Sequence, residues 1–257
     1  MLAPLKQPGN HHDAALDVKA IKAEIDEWLY EQVDGIVQSG PFIGMRMLHR
    51  TAWRDTHLSP MLLGCYEEEL HGEMERQITR LKALAKPKIG VIGSAEGYYA
   101  IGLKRRLPNA DVFVVDCNQA ALDICQEAAA ANEVTLYQVE LDFLIPNADL
   151  LVLDCEGGEV HYLDAERWPQ LRQAHVVVEL HNYPPTESQP ALITDKILLD
   201  RFRGSHRINL ILEGPRNPNQ YKWLCAMTSD YRWLAVSESR PCLMGWYLME
   251  PKGLYCP

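Results

Sequence analysis

The chain has 257 residues, 47% of them hydrophobic and 23% charged, an ordinary globular balance with enough apolar side chain to bury a large core. Its 35 acidic residues against 25 basic ones leave a net charge of −10, which argues against nucleic acid as a partner, because phosphate backbones need clustered Lys and Arg. The 7 cysteines are scattered without a C-x-x-C pair, no signal peptide opens the chain and no apolar run approaches a membrane span, so the expected home is the reducing cytoplasm, off the membrane.

The first third reads as helical. With Asp13 as N-cap, Val18, Ile21, Ile25 and Leu29 fall on one helix face, and Gly40-Pro41 ends the run. After Pro60 a second stripe carries Leu70, Met74, Ile78, Leu81 and Leu84 and stops before Pro87. Residues 1–86 are therefore read as an N-terminal helical extension that packs on the main domain, with a lid or a homodimer contact as its alternative roles.

From Lys88 the pattern changes. Short apolar runs at Ile89–Ile92, Val112–Val115, Leu136–Leu141, Leu150–Leu153 and Val176–Leu180 predict strands. Helices are predicted between them over Tyr98–Leu107, Gln119–Ala131 and Val160–Leu171. A helix at Thr194–Phe202 and strands at Ile208–Leu212 and Gly245–Met249 complete residues 87–257. Continuously apolar strands separated by single helices indicate an α/β domain whose parallel sheet is covered on both faces.

The first strand runs into Gly93-Ser94-Ala95-Glu96-Gly97, a turn that lets backbone approach a ligand at the carboxyl edge of the sheet. In a G-x-G-x-x-G count from Gly93, Ala95 and Tyr98 hold the second and third glycine places, so a pyrophosphate fits poorly and an adenosyl group without phosphates fits better. Asp116 closes the second strand about twenty residues beyond the turn, where a carboxylate can accept from both ribose hydroxyls. Asn118 is either a further contact or a helix cap. Asp154-Cys155-Glu156-Gly157-Gly158-Glu159 follows the strand Leu150–Leu153, and carboxylates so crowded need partners: a sulfonium and an amino group, a divalent metal, or the N-terminus of the next helix. Glu179-Leu180-His181-Asn182 ends the next strand, where the reactive end of a bound ligand should lie, and His181 has the natural range of a general base.

These residues resemble the FkbM-type methyltransferases of the class I S-adenosylmethionine-dependent group. The likeness rests on Ile-Gly-Ser-Ala-Glu-Gly-Tyr-Tyr at 92–99, Asp-Cys-Glu-Gly-Gly-Glu at 154–159 and Val-Glu-Leu-His at 178–181. It implies a Rossmann-like, seven-stranded, mostly parallel sheet with one antiparallel strand, and methyl transfer to a hydroxyl of a small molecule or sugar. By position, Gly93, Ser94, Glu96 and Gly97 would line the cofactor's methionine and ribose side, Asp116 its ribose, Asp142 its adenine, and Asp154 and Glu156 its methionine end. Such strands usually carry an acid two places before the first turn glycine; here that residue is Val91.

The mechanism expected is proton removal by His181, oriented by Glu179 or a neighbouring carboxylate. A metal-assisted version would use Asp154, Glu179 and Asn182. The acceptor pocket is expected from the N-terminal helices and the C-terminal loops, with Arg216 and Tyr221 in the polar loop Gly214–Tyr221, while Trp223, Trp233 and Trp246 are expected in the core. The rival readings are an NAD-dependent oxidoreductase, disfavoured by Ala95 and Tyr98, and a non-catalytic adenosyl-binding or scaffold protein.

Overall fold

The computed structural model describes residues 18–50, 58–140, 143, 148–183, 192–240 and 242–254. Seven strands form one sheet: β1 (Lys88–Ile92), β2 (Asp111–Val115), β3 (Tyr137–Gln138), β4 (Leu150–Leu153), β5 (His175–Glu179), β8 (His206–Leu212) and β9 (Gly245–Pro251). Their order is β3-β2-β1-β4-β5-β9-β8, and a separate pair joins β6 (Asn182–Tyr183) to β7 (Leu192–Ile193). The first five run parallel, and β9 is antiparallel to both β5 and β8. This is a Rossmann-like, mostly parallel sheet with flanking helices.

Alternation along the strands divides the apolar residues between two faces. Val91, Val112, Val152 and Val177 point into one core; Ile92, Leu153, Val176 and Val178 point into the other. Because β4 and β5 are buried at every position, they read as unbroken apolar runs. The first core also holds the N-terminal helices α1 (Val18–Val33), α2 (Leu58–Leu63) and α3 (His71–Lys82), through Ile25, Leu29, Leu62, Met74 and Ile78. The helical segment and the sheet therefore share one hydrophobic cluster. No helix among the described residues is long and apolar enough to cross a membrane.

Helix ends follow local chemistry. Asn118 caps α5 (Gln119–Ala131) by accepting from the Ala120 amide, and α4 (Tyr98–Arg106) closes on Lys104, Arg105 and Arg106, which suit the negative end of a helix. Helix α7 (Thr194–Phe202) has the predicted limits, as does α5. Two predicted elements are shorter. Instead of a strand over Leu136–Leu141, only the exposed residues Tyr137 and Gln138 pair, on the sheet edge. Instead of one helix over Val160–Leu171, the chain forms α6 (Glu159–Tyr162) and, after a turn, a 3-10 segment over Pro169–Gln173. The Asp164 side chain captures the amides of Glu166 and Arg167, and Pro169 has no amide to continue a helix. The Asp13 cap lies outside the described residues. Of the three tryptophans expected in the core, Trp246 is fully buried and Trp223 partly buried, but Trp233 is 52% exposed on α8 (Ser229–Val236), so that expectation is corrected there.

A shared core makes a stability prediction. Leu29→Ala should lower the urea unfolding free energy of a single transition by about 2–5 kcal/mol, the usual result of emptying a buried leucine site. Two separated transitions, with only the first affected, would show that the helical segment folds on its own.

Candidate active site

The parallel registers bring three strand ends level, because Ile92 lies opposite Val115 on one side and Leu153 on the other. β1 is also where the strand order reverses, the place at which open α/β sheets form a crevice. The glycine turn is fastened across that crevice: Gly93 N donates to Val115 O (2.9 Å), Ala95 N to Asp116 Oδ2 (2.9 Å) and Gly97 N to Ser94 O (2.7 Å). Gly93 has φ +78°, and a Cβ there would stand 1.6 Å from the Asp154 carbonyl oxygen, so both backbone conformation and space demand glycine.

A cavity of about 400 Å³ opens on this edge. Gly93, Glu96 and Asp116 line it, as do Asp154, Glu156, Glu179, His181 and Asn182. Asp116 keeps carboxylate lone pairs in hand, because the Ala95 and Asn118 amides use one site on each oxygen. Ser94 is buried beneath the turn and does not reach the main cavity, Gly97 supports the turn, and Asn118 serves as the α5 cap. Asp142 lies outside the described residues.

His181 is 3% exposed and held on several sides. Thr194 Oγ1 donates to its carbonyl oxygen (2.7 Å), and its Nδ1 lies 2.7 Å from Glu159 Oε1. Glu159 is fully buried at the start of α6 and also accepts from the Gly157 amide. The orienting carboxylate is therefore Glu159, rather than Glu179. Nε2 faces the cavity with Glu156 at 3.4 Å, Glu179 at 3.6 Å and Asp154 at 3.8 Å. Burial alone would depress the imidazole, but the Glu159 hydrogen bond and the charges of Glu179, Glu159 and Glu156 outweigh it and raise His181 above its ordinary 6.5. Burial likewise opposes ionisation of Glu159, and the His181 contact with two backbone donors overcomes it, lowering that carboxyl.

Arg240 offsets the remaining acids. Its guanidinium pairs with Glu179, with Glu67 (2.9 Å), with Glu238 (2.9 Å) and with Glu213 (3.4 Å). Burial and the Glu179 charge push Glu67 well above the carboxylate range despite Arg240, and Tyr99 donates to it. Burial, followed by the charges of Glu179, Glu67 and Glu156, does the same to Asp154. Two groupings have the compactness a metal ion needs, Asp154–Glu156–His181 and Glu67–Asp154–Glu179.

Arg216 is not available to an acceptor. It is committed to Glu69, Glu238 and the Cys65 carbonyl, and Tyr221 is buried, so the expected role of the loop Gly214–Tyr221 is corrected. The cavity wall comes instead from Val18, Lys19 and Lys22 on α1, Met61 on α2, and the stretch carrying Glu238, Arg240, Cys242 and Met244. Lys22 ties these parts together, donating to the carbonyls of Leu234 (3.3 Å) and Ser237 (2.6 Å) at the end of α8. Sequence spacing marks neither Arg240 nor Glu67, whose partners lie up to 173 residues away. Glu159 is visible in the Asp-Cys-Glu-Gly-Gly-Glu motif, but its partner is not.

The Glu159–His181 pair has a pH signature. Raised His181 contributes stability fully below the unfolded value of 6.5 and loses it as pH rises through the folded value; lowered Glu159 contributes above the unfolded value of 4.5 and loses it as pH falls through the folded one. The pair's contribution should therefore be largest between those two limits. Imidazole NMR titration should place His181 above 6.5, and Glu159→Gln should move it down. An unchanged titration in that variant would show that the contact does not set the shift.

No model of a known protein family matches this sequence. Over 77 residues, 30% of the chain, it is 36% identical to the release factor glutamine methyltransferase of Flavobacterium psychrophilum, of whose length the match spans 27%. The fold overlaps in part with a SAM-dependent O-methyltransferase from Thermotoga maritima (TM-score 0.45, 14% identity, 70% of this chain and 64% of the other). It also overlaps with M. capricolum TrmK, solved with S-adenosyl-homocysteine (TM-score 0.41, 12% identity, 70% and 69%).

Proposed function

We propose that this chain is an S-adenosylmethionine-dependent methyltransferase, of the FkbM type, that methylates a hydroxyl of a small molecule or sugar. The observation that carries the reading is the continuous cavity of about 400 Å³ running from the Gly93 turn and Asp116 to His181. Its size is that of a small-molecule site, and its lining offers two kinds of chemistry. The glycine turn and Asp116 offer close backbone and a carboxylate with spare lone pairs, which suits a nucleoside. His181 offers an imidazole.

When bound, S-adenosylmethionine supplies a methyl group activated on a sulfonium. Asp116 would hold the ribose hydroxyls, the Gly93–Gly97 backbone would pack against the nucleoside, and Asp154 and Glu156 would border the cationic end. Alignment of the two reactants at the crevice supplies much of the rate, since displacement at a methyl group depends on approach geometry. His181 accepts the acceptor's proton at Nε2, and Glu159 stabilises the imidazolium at Nδ1. Glu159 is thus a positioning residue. Arg240 holds Glu179 at the wall of the cavity, so that this carboxylate adds its field to Nε2.

Thermal unfolding with candidate ligands tests the cofactor. S-adenosylmethionine and S-adenosylhomocysteine should each raise the midpoint, by a stabilisation of about 2.7 kcal/mol at a hundredfold excess over Kd, and NAD should not. Asp116→Ala should remove most of the response, whereas His181→Ala should keep it. Stabilisation by NAD alone would overturn the reading.

A further inference from the structure

The sheet ends on β8, and that edge is open. All the residues from His206 to Leu212 pair with β9 in unbroken antiparallel register, whereas β3, at the other edge, pairs only at Tyr137 and Gln138. The ladder fixes which way the backbone groups of β8 point. Glu213 N donates to Met244 O and Ser205 O accepts from Lys252 N, so the odd-numbered residues bond to β9. The N–H and C=O groups of His206, Ile208, Leu210 and Leu212 therefore point away from the sheet, and no hydrogen bond among the described residues takes them. Such an edge is a template for another strand. Natural sheets guard it with Lys, Pro or a bulge, and β8 has none of the three.

The side chains of the same four residues share one face of the sheet. Ile208 packs on the core there, but Leu210 is 53% exposed and Leu212 50%. Both lean over Gly245, which offers no side chain to cover them. The opposite face carries Arg207, Asn209 and Ile211.

We infer that this edge binds a second copy of the chain, β8 against β8 about a two-fold axis through Asn209, so that the two sheets join into one. The outward set is symmetric about Asn209. Under that axis His206 meets Leu212 of the second copy and Ile208 meets Leu210, so every outward N–H and C=O is paired. On one face Ile208, Leu210 and Leu212 of both copies form a single apolar strip. On the other, Asn209 lies beside its own copy, and an amide that is both donor and acceptor can bond to itself. Arg207 comes diagonal to Glu213 of the second copy, about 7–8 Å away between backbones and within reach of a long side chain. The two Arg207 residues lie about 14 Å apart, beyond the screening length of about 8 Å. A foreign strand would use the same backbone groups, but the match of apolar to apolar and of Arg207 to Glu213 in one register belongs to the chain's own sequence. Residues 206–212 lie outside the cavity lining, so this contact is independent of the adenosyl reading.

Sedimentation velocity of the full chain over about 1–100 μM should show a particle of twice the 29.2 kDa chain mass. Leu210→Pro removes an outward N–H and no bond to β9, and Leu210→Lys puts a charge on the apolar strip. Each should weaken the dimer at least about tenfold while far-UV circular dichroism stays native. Cysteines test the register. Asn209→Cys would face its own copy at about 4.5 Å between Cα atoms, within disulfide reach, so mild oxidation should link the chains well above the wild-type level. Arg207→Cys, with its copies about 14 Å apart, should not. A wild type that stays monomeric, the result expected of an edge kept for a different partner, overturns the inference. So does a dimer that a folded Leu210 variant weakens by less than the stated factor. Asn209→Cys that links no better than Arg207→Cys overturns it too, and this comparison decides if the Leu210 variants unfold.

Discussion

Buried carboxylates at the carboxyl edge of a parallel sheet need counter-charges close by, because a carboxylate removed from water without one is protonated instead. Here Glu67, Glu159, Glu179 and Glu238 are all at least nine-tenths buried, Glu179 and Glu238 lining one cavity and Glu67 and Glu159 paired with Arg240 and His181 on its wall. Two cationic groups do most of the balancing. Arg240 takes Glu67, Glu179 and Glu238, and His181 takes Glu159. The rest of the site is arranged around that division. Arg240 does not balance the cluster completely, because Glu67, which it reaches, and Asp154, which it does not, are both displaced well above the carboxylate range.

That division also explains why the N-terminal helices belong to the site. Glu67 lies between α2 and α3, with φ +49° and its amide donating to Glu238, so it enters the ion cluster only if the helices lie against the sheet. Lys22 fixes the same relation from the other side by binding the carbonyls at the end of α8, the helix that leads into Glu238 and Arg240. Packing supplies the affinity between these parts, through Ile25, Leu29 and Leu62, and polar contacts supply the register.

Much of the fold was legible because its signals are local. The α5 limits follow from the Asn118 cap and an alanine-rich run, and the β4 and β5 runs are apolar because both faces of those strands are covered. Legibility fails where a long-range or single-residue effect intervenes. Apolar residues over 136–141 suggest a buried strand, yet as an edge strand β3 pairs at only two positions, both exposed. The helix over 160–171 is interrupted by one aspartate and one proline. At the site, Gly93, Asp116, Asp154 and His181 could be read because each sits at the end of a strand. Arg240 and Glu67 could not, since their meaning comes from partners far away in sequence.

The parts of the cavity lining consequently stand under different constraints. At the glycine turn, Gly93 is confined by the Asp154 carbonyl and Asp116 by two backbone amides, so replacing either disturbs the crossing of β1, β2 and β4 itself. Elsewhere the lining comes from Val18 and Lys19 on α1 and from Glu238, Arg240, Cys242 and Met244, and there Arg240 is paired with Glu179 on β5, so that part of the wall is tied to the sheet by charge.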